Sequence, residues 1–465
     1  MAEAGSFPVR NPRTGVVEAR FTIDDAPAVA LASERLRQRQ VEWAAQAPKL
    51  RSQQVRDWAQ RLEALGDTML QALSADTGRW HETVVEFQSV LGTMRRWADQ
   101  APDLLAASHA PSSLPHLSLH QCQIPYPLVG VISPWNFPLL LSLIDAIPAL
   151  LAGSAVLIKP SEVTPRFVPV LRQSAGDLPL AMVLGAAPTG QALIDHVDTI
   201  AFTGSVRTGR AVALQAAARF IPAQLELGGK DAAIVLADAD LPRAATALTW
   251  ASMVNAGQSC MSVERCYVEA PAFESFCAHL VQRVGALRMN THDLRDGQIG
   301  PIISISQAQT IQEHLDDAFK QGARALCGGR IVAHGGGLWC EPTVLVDVHH
   351  GMRIMREESF APILPVMPVA DEVQALQLAN DSEYGLSAAV FSADVGRAHR
   401  LAARLQAGAV SINDASLTAL VHEGTKQSFG YSGLGGSRMG PKSIERFVRQ
   451  QVHIVSDGRA SPWWY

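Results

Sequence analysis

The sequence predicts an α/β protein built from two doubly wound α/β domains and a small β element. Its 465 residues are too many for one hydrophobic core, so the chain should divide into two or three domains. Between residues 128 and 236, short apolar strands alternate with helical stretches, which is the pattern of a parallel sheet covered by helices. A second series of strands and helices follows Lys230 and predicts a second domain of the same class.

The first half of the chain changes from helices to strands. Residues 27–100 have helical periodicity and end in a polar turn, and residues 117–129 then alternate polar and apolar side chains like an exposed ribbon. The strands predicted for the first sheet are 129–133, 155–159, 181–184, 199–202 and 232–236. Because no G-x-G-x-x-G follows any of these strands, a nucleotide would need another mode of binding.

The second half of the chain continues the alternation. Predicted helices cover 241–256, 272–288, 304–321, 371–379 and 394–406, and predicted strands cover 265–269, 342–347, 387–391 and 408–412. The tail at 447–455 and the ribbon at 117–127 both alternate like strands at a sheet edge. Since exposed edges of this kind often pair between subunits, the minimum expected assembly is a homodimer.

Composition and motifs argue against several classes of protein. The net charge of −5, without any basic run, argues against nucleic acid as a partner. Asn136, Asp145 and several prolines interrupt the apolar stretch 127–159, which therefore predicts a buried βαβ unit and no membrane span. The six cysteines form no disulfide framework and no H-E-x-x-H is present, so we expect reduced thiols and no metal site. The opening residues do not resemble a signal peptide, which predicts a cytoplasmic location.

The segment NAGQSCMSVERC at 255–266 contains two cysteines in different settings. Cys266 lies in a predicted strand, on the same face as Val268, and is expected to be unreactive core. Cys260 follows small polar residues that suit a loop or a helix start, where backbone N–H groups would lower the pKa of its thiol. From these residues alone, Cys260 is either a reactive nucleophile or a buried inert thiol.

Two polar residues that follow buried strands are candidate partners of this thiol. Glu226 stands at the carboxyl end of a predicted strand, where α/β sheets place their chemistry, and is a candidate base. The alternative for Glu226 is a solvated carboxylate or an ion pair with Lys230. Asn136, between two prolines that stiffen its turn, is a candidate oxyanion donor, and the alternative is an amide that satisfies its own turn.

Together these residues resemble the aldehyde dehydrogenase superfamily. The matching motifs are PWNFPL at 134–139, KPSEVTP at 159–165, FTGS at 202–205, LELGGK at 225–230, GQSC at 257–260, REESFAP at 356–362 and YGLSAAVF at 384–391. The resemblance covers almost the whole chain and implies the fold of that family, usually assembled as a homodimer or homotetramer. The implied parts are a nucleotide-binding domain (1–116 and 128–226), a catalytic domain (227–425) and an oligomerisation element (117–127 and 446–465).

The resemblance also implies a reaction, the NAD-dependent oxidation of an aldehyde to a carboxylic acid, with NADP as the alternative cofactor. Cys260 is then the nucleophile, Asn136 and the Cys260 backbone N–H form the oxyanion hole, and Glu226 is the general base. The residues implied to bind the cofactor are Trp135, Lys159, Ser161, Glu162, Gly204, Ser205, Leu227, Glu358 and Phe360. A CoA-acylating enzyme and a catalytically silent relative are the rival interpretations, and the presence of a base and a nucleophile argues against each.

The chain departs from the family pattern at several points. Asp145 stands where many members have a lysine, SFGYSGLGG at 428–436 replaces a PFGG motif, and Ala187 replaces a glycine. The residues expected to line the substrate tunnel are Leu140, Leu141, Ile144, Ser259, Met261 and the region of Phe429 and Tyr431. Because they include no lysine or arginine, they favour an aromatic or apolar aliphatic aldehyde over a semialdehyde, unless Lys426 reaches the tunnel.

Overall fold

The computed structural model describes residues 5–114 and 116–458. Residues 1–4 and 115 of the predicted nucleotide-binding domain, and residues 459–465 of the predicted oligomerisation element, lie outside the described residues. The α-helices are α1 (Ala26–Ala45), α2 (Pro48–Ala64), α3 (Gly66–Thr77), α4 (His81–Leu104), α5 (Pro138–Ala152), α6 (Val168–Ala175), α7 (Ala187–Ile194), α8 (Val206–Ala218), α9 (Leu241–Met253), α10 (Ala270–Val284), α11 (Ile305–Lys320), α12 (Arg353–Arg356), α13 (Glu372–Asn380) and α14 (Val395–Ala402).

Strands make up most of the remaining regular structure. They are β1 (Ser6–Arg10), β2 (Val17–Thr22), β3 (Ser108–Pro111), β4 (Leu117–Pro125), β5 (Leu128–Ile132), β6 (Ala155–Lys159), β7 (Leu180–Met182), β8 (Thr199–Thr203), β9 (Ala223–Glu226), β10 (Asp231–Val235), β11 (Val263–Glu269), β12 (Arg324–Cys327), β13 (Ile331–His334), β14 (Gly337–Cys340), β15 (Thr343–Val346), β16 (Ile363–Val369), β17 (Tyr384–Gly385), β18 (Ser387–Phe391), β19 (Ala409–Ile412), β20 (Phe429–Gly430), β21 (Gly433–Leu434) and β22 (Val448–Ser456). Short 3-10 helices cover Val254–Gly257, Leu417–Ala419 and Pro441–Phe447.

The first large sheet has six strands in the order β7-β6-β5-β8-β9-β21, all parallel except β21. Side chains of β5 and β6 alternate between two cores. Val129 and Val131 face a core that includes residues of α2, α4, α5 and α6, whereas Leu128 faces a core that includes residues of α1, α7 and α8. The doubly wound α/β sheet predicted from the sequence is therefore confirmed, and the apolar stretch 127–159 forms its β5-α5-β6 unit.

The second large sheet has seven strands in the order β12-β15-β16-β11-β10-β18-β19, all parallel except β12. The predicted strand 232–236 corresponds to β10 in this sheet, so its assignment to the first sheet was wrong. The chain passes from one sheet to the other through the loop after Glu226. β16, a strand inside the sheet, was not predicted, because Pro365 and Pro368 are unfavourable signals for a central strand.

A separate three-stranded antiparallel sheet has the order β22-β4-β3. β22 pairs with β4 along its whole length, from Val448 opposite Pro125 to Ser456 opposite Leu117. The prediction that 117–127 is a free edge is therefore wrong, because this segment is the central strand of the sheet. β22 is an outer strand, and its residues after Val448 are exposed.

Within 5–114 and 116–458, none of the helices combines the length and the hydropathy needed to cross a bilayer. In the same residues, no group of three or more histidine, cysteine, aspartate or glutamate side chains has an arrangement that could hold a metal ion.

Candidate active site

Cys260 lies in a tight loop between α9 and β11. The predicted helix 241–256 ends earlier, at Met253, because Asn255 and Ala256 have positive φ angles of 56° and 52°. Gly257 follows with a φ of 67°, and a Cβ at this position would come within 2.0 Å of the Ala361 carbonyl oxygen. Only glycine fits so close a backbone approach, which holds the loop against the segment before β16.

The two cysteines of this segment lie in different environments, as predicted. Cys266 is fully buried in β11, where it packs in an apolar core. Cys260 is only partly buried and lies just after the turn Val254–Gly257. The structure therefore leaves Cys260 as the thiol of this pair that a small molecule can approach.

Asn136 connects the first sheet to the loop of Cys260. It lies in the turn between β5 and α5, is 3% exposed, and its Nδ2 donates to the Gln258 carbonyl oxygen at 3.0 Å. Asn255 Nδ2 donates to the same oxygen at 2.8 Å. An amide group has two N–H donors, so Asn136 has a second donor in addition to the one that Gln258 engages. The amide bridges two parts of the chain instead of satisfying its own turn.

A buried ion pair supports Asn136 from behind. Arg79 Nη2 donates to the Asn136 carbonyl oxygen at 2.6 Å and lies 3.3 Å from Glu86. Glu86 Oε1 accepts the backbone N–H groups of Leu139 and Leu140, at 2.9 and 3.0 Å, at the start of α5. Burial raises the pKa of Glu86, and the neighbouring Arg79 opposes this shift. Sequence motifs gave no sign of this support.

Glu226 ends β9 at the carboxyl edge of the first sheet. Its Oε2 accepts a hydrogen bond from Ser428 Oγ at 3.2 Å, and the residue is paired with Gly433 on β21. Within the described residues no hydrogen bond joins Glu226 to Cys260. The alternative of an ion pair with Lys230 is wrong, because Lys230 Nζ contacts Glu264 at 2.6 Å with both side chains buried.

Burial and nearby carboxylates make the Cys260 thiol a weak acid. Burial, and then the negative charges of Glu358 and Glu226, raise the pKa of Cys260 to about 12. Glu358 packs beside Gly228 and accepts the Gly229 N–H at 3.0 Å, and burial raises its pKa to about 8. The prediction that backbone N–H groups lower the thiol pKa is therefore wrong, since desolvation and like charge dominate here.

The Lys230–Glu264 pair positions the segment that contains Phe360. Glu264 accepts the backbone N–H groups of Ser359 at 2.7 Å and Phe360 at 2.8 Å. Phe360 has a φ of 53°, and its ring meets the edge of the Trp135 ring with centroids 5.4 Å apart. Trp135 and Phe360, predicted from distant motifs, are thus in contact.

The remaining predicted cofactor residues lie at the carboxyl end of the first sheet. Lys159 Nζ is 3.2 Å from Glu162 Oε2, and the Ser161 hydroxyl accepts the Val163 N–H at 3.2 Å. Gly204 and Ser205 precede α8, and the Ser205 hydroxyl caps this helix by accepting the Thr208 N–H at 3.3 Å. Leu227 is buried and packs against α8.

These residues fit a dinucleotide without a glycine fingerprint. The start of α8, a helix of 13 residues, suits a pyrophosphate because the positive end of the helix dipole lies there. Glu162 keeps 42% of its side chain exposed, which leaves a carboxylate able to accept ribose hydroxyl groups. The parallel strands β5, β6 and β8 direct their carboxyl ends to this region, as ligand sites of α/β sheets require.

A buried charge cluster adjoins the site and was not predicted. The Asp145 side chain is fully buried and contacts Arg438 at 2.5 Å and Arg446 at 2.6 Å. Burial opposes ionisation of Asp145, but the two guanidinium groups outweigh it and lower the pKa to about 2. A lone aspartate in the apolar helix sequence could have indicated a buried cationic partner, although not which one.

Lys426 is a cation that lies outside the set of predicted tunnel residues. It is partly buried, and its charge opposes the rise in the pKa of Cys260 that burial causes, so it lies within electrostatic range of the thiol. The alternative that Lys426 reaches the tunnel and changes the substrate preference therefore stays a prediction. The predicted apolar residues Leu140, Leu141 and Ile144 are partly exposed on one side of α5.

The arrangement supports covalent chemistry at a carbonyl carbon. A partly exposed thiol lies near an amide donor and two carboxylates, beside sheet edges that suit a dinucleotide. A thiol, a base and an oxyanion donor are the groups that acyl transfer through a thioester requires.

Comparison with known sequences gives a match along nearly the whole chain. The sequence model of the aldehyde dehydrogenase family matches residues 1–453. A 4,4'-diapolycopene aldehyde oxidase of Methylomonas sp is 42% identical over 390 residues, which are 80% of this chain and 72% of that protein. A protein of Mycolicibacterium smegmatis, named as a succinate-semialdehyde dehydrogenase [NADP(+)], is 35% identical over 97% of this chain and 89% of its own length.

Solved structures show the same fold. The aldehyde dehydrogenase PutA of Anabaena variabilis superimposes with a TM-score of 0.97 at 47% identity, over 99% of this chain and all of that chain. A betaine aldehyde dehydrogenase of Staphylococcus aureus in complex with NAD+ gives a TM-score of 0.91 at 29% identity, over 100% of this chain and 94% of that chain.

Proposed function

Because the chain belongs to the aldehyde dehydrogenase family and is an oxidoreductase of EC 1.2.1 type, we propose that it oxidises an apolar aldehyde to the free carboxylic acid with NAD. The observation that carries this proposal is the joining of the Cys260 loop to Asn136 and to the start of α5. The amide of Asn136 reaches the loop at 3.0 Å, and the next turn of chain presents the partly exposed Leu140, Leu141 and Ile144.

In the proposed first step, the Cys260 thiol gives up its proton to water and the resulting thiolate sulfur adds to the aldehyde carbonyl carbon. A C–S bond forms, and the carbonyl oxygen becomes an oxyanion that the free N–H of Asn136 and the Cys260 backbone N–H stabilise. Bound NAD would supply the acceptor for a hydride, that is, a proton and two electrons from the hemithioacetal carbon, and Cys260 would then hold the acyl group as a thioester.

In the proposed second step, Glu226 takes a proton from water and the resulting hydroxide attacks the thioester carbonyl. The C–S bond breaks, the thiolate leaves and the carboxylic acid is released. A base at the carboxyl edge of β9, held by Ser428, favours hydrolysis over transfer to CoA. Adding CoA should therefore not accelerate turnover.

We propose that the cofactor lies along the carboxyl edge of the first sheet. Lys159, Ser161 and Glu162 would hold the adenosine ribose, and Trp135, Gly204, Ser205 and Leu227 would surround the pyrophosphate. Glu358 and Phe360 would hold the nicotinamide ribose. The exposed carboxylate of Glu162 repels a 2′-phosphate, which supports NAD over NADP.

The substrate class rests on the apolar side chains around the thiol. Phe429 and Tyr431, the aromatic residues predicted for the tunnel, are 42% and 44% exposed in the segment that follows Lys426. Each CH₂ of a substrate buried against such a surface contributes about 0.8 kcal/mol. The relative that acts on a diapolycopene aldehyde is consistent with a long apolar substrate.

A second candidate function, oxidation of a semialdehyde, is favoured by Lys426. Its ammonium group lies within electrostatic range of Cys260 and could pair with a carboxylate at the far end of a short substrate. The relative named for succinate semialdehyde is consistent with this candidate.

A panel of kcat/KM values separates the two candidates. We expect the values to rise from acetaldehyde to hexanal and benzaldehyde, to exceed the value for succinic semialdehyde, and to be higher with NAD than with NADP. A clear preference for succinic semialdehyde that Lys426→Gln abolishes would establish the second candidate. A value with NADP equal to that with NAD would contradict the assignment of Glu162.

We also propose that the protein is at least a homodimer, assembled through β22. This strand is an open edge with exposed Val452, Ile454 and Val455. β19 is an open edge of the seven-stranded sheet and borders a cavity of about 630 Å³. Pairing β22 of one copy with β19 of another would remove both edges.

A further inference from the structure

The charge cluster at Asp145 places a guanidinium group beside the proposed base. Arg438 donates to Asp145 through Nη2 at 2.5 Å and Nε at 3.2 Å, and its Nη2 also donates to the Thr203 hydroxyl. Thr203 ends β8 and is paired in register with Glu226 at the end of β9. Side chains at paired positions of neighbouring strands share one face of a sheet, so Arg438 and Glu226 lie at the same corner.

The path of the chain supports this placement. β21 pairs antiparallel with β9, with Gly433 opposite Glu226, and Arg438 follows a few residues later. Burial disfavours the charge of Arg438, but the charges of Asp145 and Glu226 outweigh burial and raise its pKa. The guanidinium group is therefore a permanent cation within electrostatic range of the Glu226 carboxylate.

The cluster holds more positive than negative charge. Asp145 carries one negative charge, whereas Arg438 and Arg446 carry one positive charge each, and all three side chains are at least nine-tenths buried. Arg446 turns away from Thr203, because its Nε donates to the Ser443 carbonyl oxygen and its guanidinium stacks on the Phe447 ring. Arg438 is thus the arginine of the pair that is aimed at the base.

We propose that Arg438, clamped by Asp145 and Thr203, is a positioning residue that orients the Glu226 carboxylate for hydrolysis of the thioester. This inference rests on the proposed function of Glu226. Its physical basis is that Glu226 shares the site with Glu358, a second carboxylate that disfavours negative charge. A fixed cation offsets this repulsion between the two carboxylates and holds the Glu226 carboxylate at this corner before it takes a proton from water.

The chain offers a matched pair of variants to test this inference. Arg438→Gln and Arg446→Gln each remove one cation and leave Asp145 paired with the other arginine, so their effects on the buried charge balance are alike. In Arg438→Gln we expect kcat to fall at least about tenfold because the hydrolytic base is impaired. The first turnover should then appear as a burst of about one NADH per site. The acidic limb of the pH profile of kcat should also move to higher pH.

In Arg446→Gln we expect kcat within about twofold of the parent, no new burst and an unchanged pH profile. Arg438→Lys should recover most of the lost activity, since it restores the charge. If Arg438→Gln does not fold, Thr203→Val removes the hydroxyl that orients the guanidinium group and should give a smaller burst of the same kind. Parallel losses of kcat in both arginine variants, without a burst, would overturn the inference. NADH formation by the parent protein in the same assay tests the proposed function separately.

Discussion

The side-chain amide of Asn136 donates to the backbone carbonyl of Gln258 at 3.0 Å across 122 residues of sequence. This hydrogen bond joins the turn after β5 to the loop that presents Cys260. Asn255 donates to the same carbonyl at 2.8 Å, so two amides anchor one point of the loop. The anchoring role and the proposed oxyanion role of Asn136 can therefore be separated by mutation.

Removing the Asn136 amide should impair catalysis far more than removing the Asn255 amide. We expect Asn136→Ala to lower kcat/KM by about 10²–10³, the usual cost of losing one oxyanion donor. Asn255→Gly, which tolerates the φ of 56° at this position, removes the other anchor and should cost far less. Equal losses in the two variants would mean that Asn136 acts only as an anchor of the loop.

The reactivity of Cys260 in the free protein should rise steeply with pH. Only the thiolate reacts with iodoacetamide, and burial with two nearby carboxylates raises the thiol pKa to about 12. We expect the alkylation rate at Cys260, followed by peptide mass spectrometry, to increase about tenfold per pH unit from pH 7 to pH 10. A plateau below pH 9 would contradict this assignment, and glutathione provides the reference thiol.

The Asp145 cluster should couple stability to acid pH. The pKa of Asp145 is about 2 in the folded protein and 3.8 for a free aspartate. The negative charge of Asp145 therefore stabilises the fold above pH 4, and this stabilisation is lost as the pH falls to 2. Asp145→Asn should lower the free energy of unfolding by about 3–5 kcal/mol at pH 7, because it leaves two buried arginines without a carboxylate. This difference should shrink between pH 4 and pH 2.

A surface ion pair provides the control for that measurement. Asp99 contacts Arg56 at 2.7 Å, with 67% of its side chain exposed. Asp99→Asn should therefore change the free energy of unfolding by less than about 1 kcal/mol. Denaturant unfolding of the three proteins across this pH range gives the comparison, and a pH-independent cost for Asp145→Asn would contradict the low pKa.

Assembly should depend on the outer strand β22. Light scattering should report a mass of at least twice the 49.9 kDa of the chain. The double substitution Val452→Lys and Ile454→Lys, at residues that are 48% and 63% exposed, should shift the protein to monomer. Charged side chains on an edge strand resist pairing with another strand. Val85→Lys, at a residue of α4 with 62% exposure, should leave the mass unchanged. A stable monomer of the parent protein at micromolar concentration would contradict the proposal.

Local patterns predicted the sheets well where short apolar runs were bounded by turn residues. The stretch 127–159 forms β5, α5 and β6. Its apolar runs have the length of strands, and polar residues and prolines interrupt them where the chain turns. β16 escaped prediction since Pro365 and Pro368 cannot donate ladder hydrogen bonds. β16 forms because the apolar side chains around these prolines are buried, and the periodicity of the sequence does not reveal that burial.

Electrostatic interactions between residues far apart in the chain could not be predicted from the sequence. Asp145 and Arg438 are 293 residues apart, and the fold brings them together in part through the antiparallel pairing of β21 with β9. The pKa of Cys260 was predicted in the wrong direction for a similar reason. The loop sequence suggests backbone N–H donors, whereas Glu358 and Glu226 approach the thiol from distant segments.

The requirement for the Cys260 thiol is the central claim, and one activity measurement tests it directly. Cys260→Ala should abolish aldehyde-dependent NADH formation while its melting temperature stays close to that of the parent protein. Cys266→Ala, at the buried cysteine of the same segment, should retain activity. Aldehyde-dependent NADH formation by Cys260→Ala at a rate close to the parent's would contradict the account.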